Sequence, residues 1–103
     1  MSARVDLVVV GLTAAGAAAA VDAARGGRRV LVVDRSTSRV RRRRLRLALT
    51  RAGRGLSRQV SIALGVDVVC VAGAGRVEAI LLRRVRTGRL IGVNTSNLLD
   101  TTS

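Results

Sequence analysis

The stretch DLVVVGLTAAGAAAAVDAARGGRRVLVVD, residues 6–34, decides the fold that the sequence predicts. Two short apolar runs, residues 7–10 and 30–33, flank a glycine turn and a helix of small residues that ends before Gly26 and Gly27. Because both runs are continuously apolar rather than alternating, they indicate parallel strands covered on both faces. We therefore predict a βαβ unit over residues 6–34, and we expect the later segments to complete one sheet around it.

The composition limits the chemistry that the chain can perform. Its 103 residues suit one small domain, and the 49% apolar fraction includes no Phe, Tyr or Trp that could stack on a base. The chain has no His to act as a general base near neutral pH, and no group of residues predicts a metal site. No catalytic acid or base stands out, so the sequence predicts binding more clearly than catalysis.

A damaged glycine motif lies between the first strand and the helix. Gly11, Thr13 and Gly16 give G-x-T-x-x-G where the dinucleotide-binding fingerprint has G-x-G-x-x-G. Gly11 permits a tight turn and Gly16 permits close packing of helix on strand, whereas Thr13 takes the place of the glycine that lets backbone approach a pyrophosphate. We expect the Thr13 hydroxyl to cap the helix or to donate to a phosphate. With Ala14 and Ala15, these residues form the predicted phosphate turn at the helix N-terminus.

An acid closes the second strand, where a ribose would lie in such a fold. Asp34 follows Gly16 by eighteen residues, and a carboxylate there can accept hydrogen bonds from ribose hydroxyls. It would repel a 2′-phosphate, although the neighbouring Arg35 offsets part of that repulsion. The alternative is an ordinary acid at a strand end.

The densest cluster of positive charge lies in the middle of the chain. The net charge of +13 comes from nineteen arginines, with no lysine, against six acids. Leu45, Ala48, Leu49 and Ala52 form an apolar stripe at helical spacing between a Ser38 cap and a Gly53 stop, and arginines from Arg39 to Arg51 cover the rest. Such a helix can bind nucleic acid or an anionic surface, but we favour a solvated face, because nothing in it reads bases. A GC-rich coding sequence would produce the same arginine usage.

The C-terminal half predicts further strands. We expect the helical region 38–64 to continue through Leu56 and Val60, and the run 66–71 to form a third strand with Cys70 as an inert core thiol. A hairpin follows over residues 77–93, with its turn at residues 86–89, and a short strand at Leu98 and Leu99 ends the chain. We expect one domain over residues 1–103, composed of a βαβ unit (6–34), an arginine-rich helical segment (38–64), and a strand with a hairpin (66–103).

The first apolar run also has the outline of a signal peptide, since residues 7–21 are uncharged after Arg4. Asp6, Gly11 and Gly16 interrupt that pattern, and the run is too rich in Ala and Gly for a transmembrane span. We therefore expect a cytoplasmic protein, a location that the lone cysteine also fits.

The order of these elements resembles the FAD-binding domain of the glutathione-reductase-like FAD-dependent oxidoreductases. The matching residues are Asp6 to Gly11, Gly16, Ala20, Asp34 and the strand end Leu98-Leu99-Asp100-Thr101-Thr102-Ser103. The resemblance implies a Rossmann-like three-layer α/β fold with a parallel sheet, a crossover helix and a C-terminal antiparallel hairpin. It also implies that Gly11 and Gly16 frame the ADP pyrophosphate and that Asp34 holds the adenosine ribose.

Three residues depart from the family pattern. Thr13 replaces the middle glycine, Asp34 stands where Glu is common, and Ser103 replaces the last glycine of the strand-end motif. Family members also have a substrate domain and a later segment that contacts the flavin, so we expect a short or truncated relative that needs a second chain or a missing domain. The cofactor-binding residues predicted on this basis are Gly11, Thr13, Ala14, Ala15, Gly16, Asp34 and Arg35. The alternatives are an adenine-nucleotide module that uses NAD without turnover, and an arginine-rich polyanion binder.

Overall fold

The computed structural model describes residues 3–102, which form eight strands and three helices. In chain order these are β1 (Ala3–Arg4), β2 (Leu7–Val10), α1 (Ala14–Arg25), β3 (Val30–Asp34), α2 (Arg39–Ala52), α3 (Leu56–Gln59), β4 (Val60–Leu64), β5 (Val66–Ala72), β6 (Ala79–Arg84), β7 (Leu90–Asn94) and β8 (Leu98–Asp100). The predicted βαβ unit is confirmed as β2, α1 and β3. Ser103, predicted at the end of the strand-end motif, lies outside the described residues.

The central sheet contains four parallel strands in the order β4-β3-β2-β8. Its middle strands are β2 and β3, the two continuously apolar runs, and they pair directly from Leu7 with Val30 to Val10 with Val33. The last strand joins the far side of β2, where Val8 pairs with Leu98. All four carboxyl ends therefore meet at one edge of this sheet.

A second sheet, in the order β1-β7-β6-β5, covers one face of the parallel sheet, and the helices cover the other. Neighbouring valines show this division. On β2, Val9 belongs to the core cluster beneath the helices, whereas Val8 belongs to the cluster shared with the second sheet, and both are fully buried. The three-layer fold is thus confirmed, while the expectation that all later segments complete one sheet is wrong.

The helical reading of residues 60–64 is wrong, because these residues form β4. Leu56, Val60 and Leu64 fit a helical spacing, but Val60, Ile62 and Leu64 also alternate with Ser61, which is exposed. The free edge of β3 decides between the two patterns, since it offers a ladder of backbone partners from Val30–Val60 to Asp34–Leu64. Only Leu56–Gln59 remains helical.

The third strand of the parallel sheet is therefore β4, and the run after Gly65 belongs to the other sheet. A parallel neighbour needs a crossover of about a dozen residues, whereas a single residue, Gly65, separates β4 from β5. The chain instead turns directly into the second sheet, where β5 pairs antiparallel with β6. The predicted hairpin is confirmed as the antiparallel pair β6 and β7.

The prediction of a buried thiol at Cys70 is also wrong, because Cys70 is exposed. The register of β5 against β6 shifts between Val68 and Cys70, a bulge that turns Cys70 to the same face as its partner Leu81. That is the outer face of the second sheet, opposite the buried Val66.

Helix α2 begins and ends where the sequence predicts. The Ser38 hydroxyl accepts a hydrogen bond from the amide of Arg41, and the amide of Gly53 donates to the Leu49 carbonyl. Leu45 and Leu49 are buried in the core beneath the helices. No helix within residues 3–102 is long and apolar enough to cross a membrane.

The burial of Leu49 predicts its contribution to stability. Replacing Leu49 with Ala removes a side chain with no exposed surface and should lower the free energy of unfolding by about 2–5 kcal/mol. The matched control is Leu47→Ala on the same helix, where 50% of the side chain is exposed and the change should stay within about 0.5 kcal/mol. Urea titration followed by far-ultraviolet circular dichroism measures both, and equal values would contradict the packing described above.

Candidate functional site

The glycine turn lies at the carboxyl end of the parallel sheet, between β2 and the N-terminus of α1. Gly11 has a φ of +107°, which only glycine adopts without strain, and its amide donates to the Val33 carbonyl at 2.8 Å. A Cβ at this position would lie 2.6 Å from Cγ2 of Thr102 and 2.7 Å from Oγ1 of Thr101. Gly11 therefore allows the residues after β8 to lie directly against the turn.

Gly16 is needed for a second close approach. A Cβ on Gly16 would overlap the carbonyl oxygen of Gly11 and lie 3.0 Å from the Thr101 hydroxyl. Its absence lets the first turn of α1 sit on the end of β2, the packing role expected for the last glycine of the motif.

The Thr13 hydroxyl is committed to two protein partners. It accepts a hydrogen bond from the Gly16 amide at 3.0 Å and donates to the Thr101 hydroxyl at 3.0 Å. The predicted helix cap is thus confirmed, whereas the alternative role of donating to a phosphate would require the bond to Thr101 to break. Thr101 in turn donates to the carbonyls of Val10 and Gly11, at 2.9 and 3.1 Å.

Because the Thr13 hydroxyl is already bonded, the backbone amides of the first turn of α1 are the groups left to bind an anion. Ala14 and Ala15 are exposed at the start of the helix, and the amides of a first helical turn have no acceptor within the helix. No acidic residue lies in this turn to occupy them. These amides and the positive end of the helix dipole therefore favour a negatively charged ligand.

Two arginines of α2 line the cleft beside these amides. Leu12, Thr13 and Ala14 form one wall of a cleft of about 530 Å³, and Arg41 and Arg44 line it from α2. Neither arginine is among the cofactor-binding residues predicted from the sequence. The spacing of the arginine run does not show which members turn toward α1; only the packing of Leu45 and Ala48 settles this.

Asp34 ends β3 at a second cleft of about 420 Å³. Its Oδ2 accepts a hydrogen bond from the Ser36 hydroxyl at 3.0 Å and lies 3.9 Å from Nη1 of Arg41. Gly11 and Thr102 line the same cleft, so the predicted ribose acid and the glycine turn do meet. The ion pair with Arg41 joins this cleft to the one at the start of α1.

Arg35 lines the second cleft but is already paired. Its Nε lies 3.2 Å from Oδ1 of Asp67, and the other Asp67 oxygen lies 3.7 Å from Nη2 of Arg83. Asp67 is not among the residues predicted from the sequence, although an acid within the apolar run 66–71 was the available signal. The cleft thus carries the carboxylates of Asp34, Asp67 and Asp100.

Asp100 is held in its charged form by the residue two positions later. The hydroxyl and the amide of Thr102 both donate to its Oδ1, the amide at 2.9 Å, and they lower the pKa of the Asp100 carboxyl below its ordinary value of 3.8. Three acids on one cleft favour hydroxyl donors such as a ribose over a further phosphate. In residues 3–102, no three His, Cys, Asp or Glu residues, these three acids included, are arranged so that they could hold a metal ion together.

Comparison with solved structures identifies the fold. The chain is similar to the thioredoxin reductase from Streptococcus pyogenes MGAS5005, with a TM-score of 0.70 and 18% identity over 99% of this chain and 32% of that one. It is also similar to the thioredoxin reductase of T. acidophilum, with a TM-score of 0.73 and 14% identity over 96% of this chain and 31% of that one. A third similar structure is the myxobacterial chondrochloren halogenase, an FAD-dependent halogenase, with a TM-score of 0.70 and 15% identity over 95% of this chain and 37% of that one. These neighbours are FAD-dependent oxidoreductases of the Rossmann type, and the chain shares their α/β fold.

The chain spans about a third of the length of these neighbours. No protein-family model matches it, and no curated protein is significantly similar in sequence. The likeness therefore concerns the fold alone.

The contact between Gly16 and Gly11 generates the first prediction for the site. Gly16→Ala should lower the free energy of unfolding by about 1–3 kcal/mol, because the added methyl group overlaps the Gly11 carbonyl oxygen. Gly92→Ala in β7 is the control, since its added Cβ meets nothing within 4 Å. Thermal unfolding followed by circular dichroism measures both, and similar melting temperatures would show that the close approach is not needed.

The hydrogen bonds to Asp100 generate a second prediction for the site, which concerns the pKa of its carboxyl group. Because its folded pKa is lowered, their stabilising contribution is complete above the unfolded pKa and is lost as the pH falls through the folded pKa, on the acid side of about pH 4. Carboxyl NMR titration should give a midpoint below 3.8 for Asp100, and Thr102→Val should raise it. Thr37→Val, a substitution at an exposed threonine outside this cluster, should leave it unchanged. A midpoint at or above the ordinary value in the parent chain would refute the assignment.

Proposed function

We propose that this chain is the FAD-binding segment of an FAD-dependent oxidoreductase and that it holds the ADP half of the cofactor. The single observation that carries the proposal is the pair of adjoining clefts at the carboxyl ends of β2, β3 and β8. Ligands of open α/β sheets bind outside the carboxyl ends of the strands. The fold of the FAD-dependent neighbours supports the choice of a dinucleotide.

The residues present fit a diphosphate at the start of α1. The first-turn amides of the exposed residues Ala14 and Ala15 supply donors, and the guanidinium groups of Arg41 and Arg44 supply two positive charges on the cleft wall that α2 forms. Thr13 contributes through its backbone and through the cap that holds the turn, since its hydroxyl is bonded to Thr101.

The second cleft fits the adenosine ribose. Asp34 uses Oδ2 for Ser36 and Arg41, and we assign Oδ1 to a ribose hydroxyl. Asp67 and Asp100 surround the same space with negative charge, which disfavours a 2′-phosphate at this position. Arg35 offsets little of this charge because it is paired with Asp67.

Redox chemistry belongs to the flavin in this proposal, and the chain supplies binding and orientation. Residues 3–102 offer no recognisable catalytic acid or base, and the walls around a flavin ring would come from further residues of a larger protein or from a second chain. The share of the neighbours that the chain spans, about a third, supports this. We propose one cytoplasmic dinucleotide-binding domain over residues 1–103, with an NAD-binding module as the alternative.

Calorimetric titration with ADP, adenosine, FAD and NAD tests the proposal. Arg44→Gln should weaken ADP binding about tenfold or more and leave adenosine binding unchanged, because Arg44 lines the diphosphate cleft and not the ribose cleft. Asp34→Asn should weaken the binding of both ADP and adenosine, since both contain the ribose. Arg43→Gln, one position away but outside both clefts, is the matched control.

The outcomes separate the candidates. Visible absorbance of bound flavin in the purified chain, or tighter uptake of FAD than of NAD, supports the FAD-binding segment. Tighter binding of NAD than of FAD supports the NAD-binding module instead. Failure to bind ADP at all refutes both the FAD-binding segment and the NAD-binding module.

A further inference from the structure

The outer face of α2, defined by Arg39, Val40, Arg43, Leu47 and Arg51, has no role in the clefts at the sheet edge. Val40 is 61% exposed and Leu47 is 50% exposed, and the arginines around them are exposed as well. Together with Arg44, which also lines the diphosphate cleft, Arg39, Val40, Arg43 and Leu47 line a shallow depression of about 330 Å³. In the described part of the chain, no carboxylate lies within 4.0 Å of Arg39, Arg43 or Arg51. This face is therefore strongly positive with an apolar centre.

The face is rigidly presented before any partner arrives. Leu45 and Leu49 fix the opposite side of α2 in the core, and Nη1 of Arg46 donates to the carbonyls of Ser57 and Val60 at 2.8 and 2.9 Å. Arg46 is thus a structural residue rather than part of the solvated arginine surface. No ordering of the helix is needed for its outer face to bind.

We propose that the outer face of α2 docks on an anionic lipid surface. Val40 and Leu47 are two helical turns apart, about 10.5 Å along the axis, and both can enter the boundary between headgroups and acyl chains. The arginine stems lie along the same boundary, while their guanidinium groups reach the lipid phosphates. A helix of 14 residues then lies parallel to the membrane plane.

The exposed aliphatic residues favour lipid over nucleic acid. On a phosphate backbone the arginines would be paired, but Val40 and Leu47 would remain in water or face phosphates, where they gain nothing. The Thr50 hydroxyl on the same side donates to the Arg46 carbonyl at 2.9 Å, so it is not free to read a base edge. A second copy of the chain is disfavoured by charge, because each copy would bring the same arginines and a net charge of +13.

Vesicle co-sedimentation of the 103-residue chain tests the proposal. The chain should bind vesicles of phosphatidylglycerol and phosphatidylcholine, should not bind phosphatidylcholine alone, and should be released by high salt. Arg39→Gln, Arg43→Gln and Arg51→Gln combined should weaken binding about 100-fold, at roughly fivefold for each charge removed. Val40→Asn with Leu47→Asn should weaken it about tenfold.

Matched variants separate this face from general charge and general hydrophobicity. Arg28→Gln, Arg76→Gln and Arg86→Gln combined remove three charges from exposed positions outside α2 and should weaken vesicle binding far less. Val85→Asn with Leu90→Asn changes aliphatic residues that are 49% and 56% exposed on the hairpin, and should have no effect. Circular dichroism verifies that every variant folds.

Three results would overturn the proposal. If Val40→Asn with Leu47→Asn leaves vesicle binding unchanged and the chain binds duplex DNA more tightly than vesicles, the face binds nucleic acid instead. A dimer of the parent chain that the same double variant converts to monomers assigns it to a second copy. Failure to bind anionic vesicles at low salt removes the lipid surface altogether. None of these results depends on ADP binding, since the outer-face arginines of the triple variant line neither cofactor cleft.

Discussion

The hydroxyl of Thr101 joins three parts of the chain that are far apart in sequence. It donates to the carbonyls at the end of β2, accepts from the cap of α1, and itself follows β8. The space for it exists because Gly11 and Gly16 carry no side chain. The glycine turn, the start of α1 and the strand end thus depend on one another, and the clefts on either side of the turn take their shape from this arrangement.

The sequence predicted the elements whose signals are local and consistent. Continuous apolar runs gave β2 and β3, and caps gave the ends of α1 and α2, because these features are determined by near neighbours. For β4, the spacing of Leu56, Val60 and Leu64 suited a helix, and only the open edge of β3 selected the strand. The exposure of Cys70 depended on a register shift in β5, for which the sequence carries no local mark.

Only part of the site was predicted, because some of its residues are placed by local features and others by the packing of distant elements. Gly11, Gly16 and Asp34 occupy positions fixed by the βαβ unit, so their mutual placement follows from its spacing. Arg41, Arg44 and Asp67 reach the clefts from other elements, and their side of the helix or strand depends on how those elements pack. Thr13 showed a further limit, since its replacement of a glycine gave no indication that its hydroxyl would be bonded to a residue 88 positions later.

The pairing of β2 with β8 also has a consequence for biosynthesis. Val8 pairs with Leu98, which follows it by 90 residues, so the strand at the centre of the sheet is synthesised well before its second neighbour. Until residue 100 has emerged, β2, whose side chains are all apolar, presents an edge of unpaired backbone N–H and C=O groups. The nascent chain must keep that edge from aggregating until β8 is made, and the arginines that repel one chain from another are already present by residue 51.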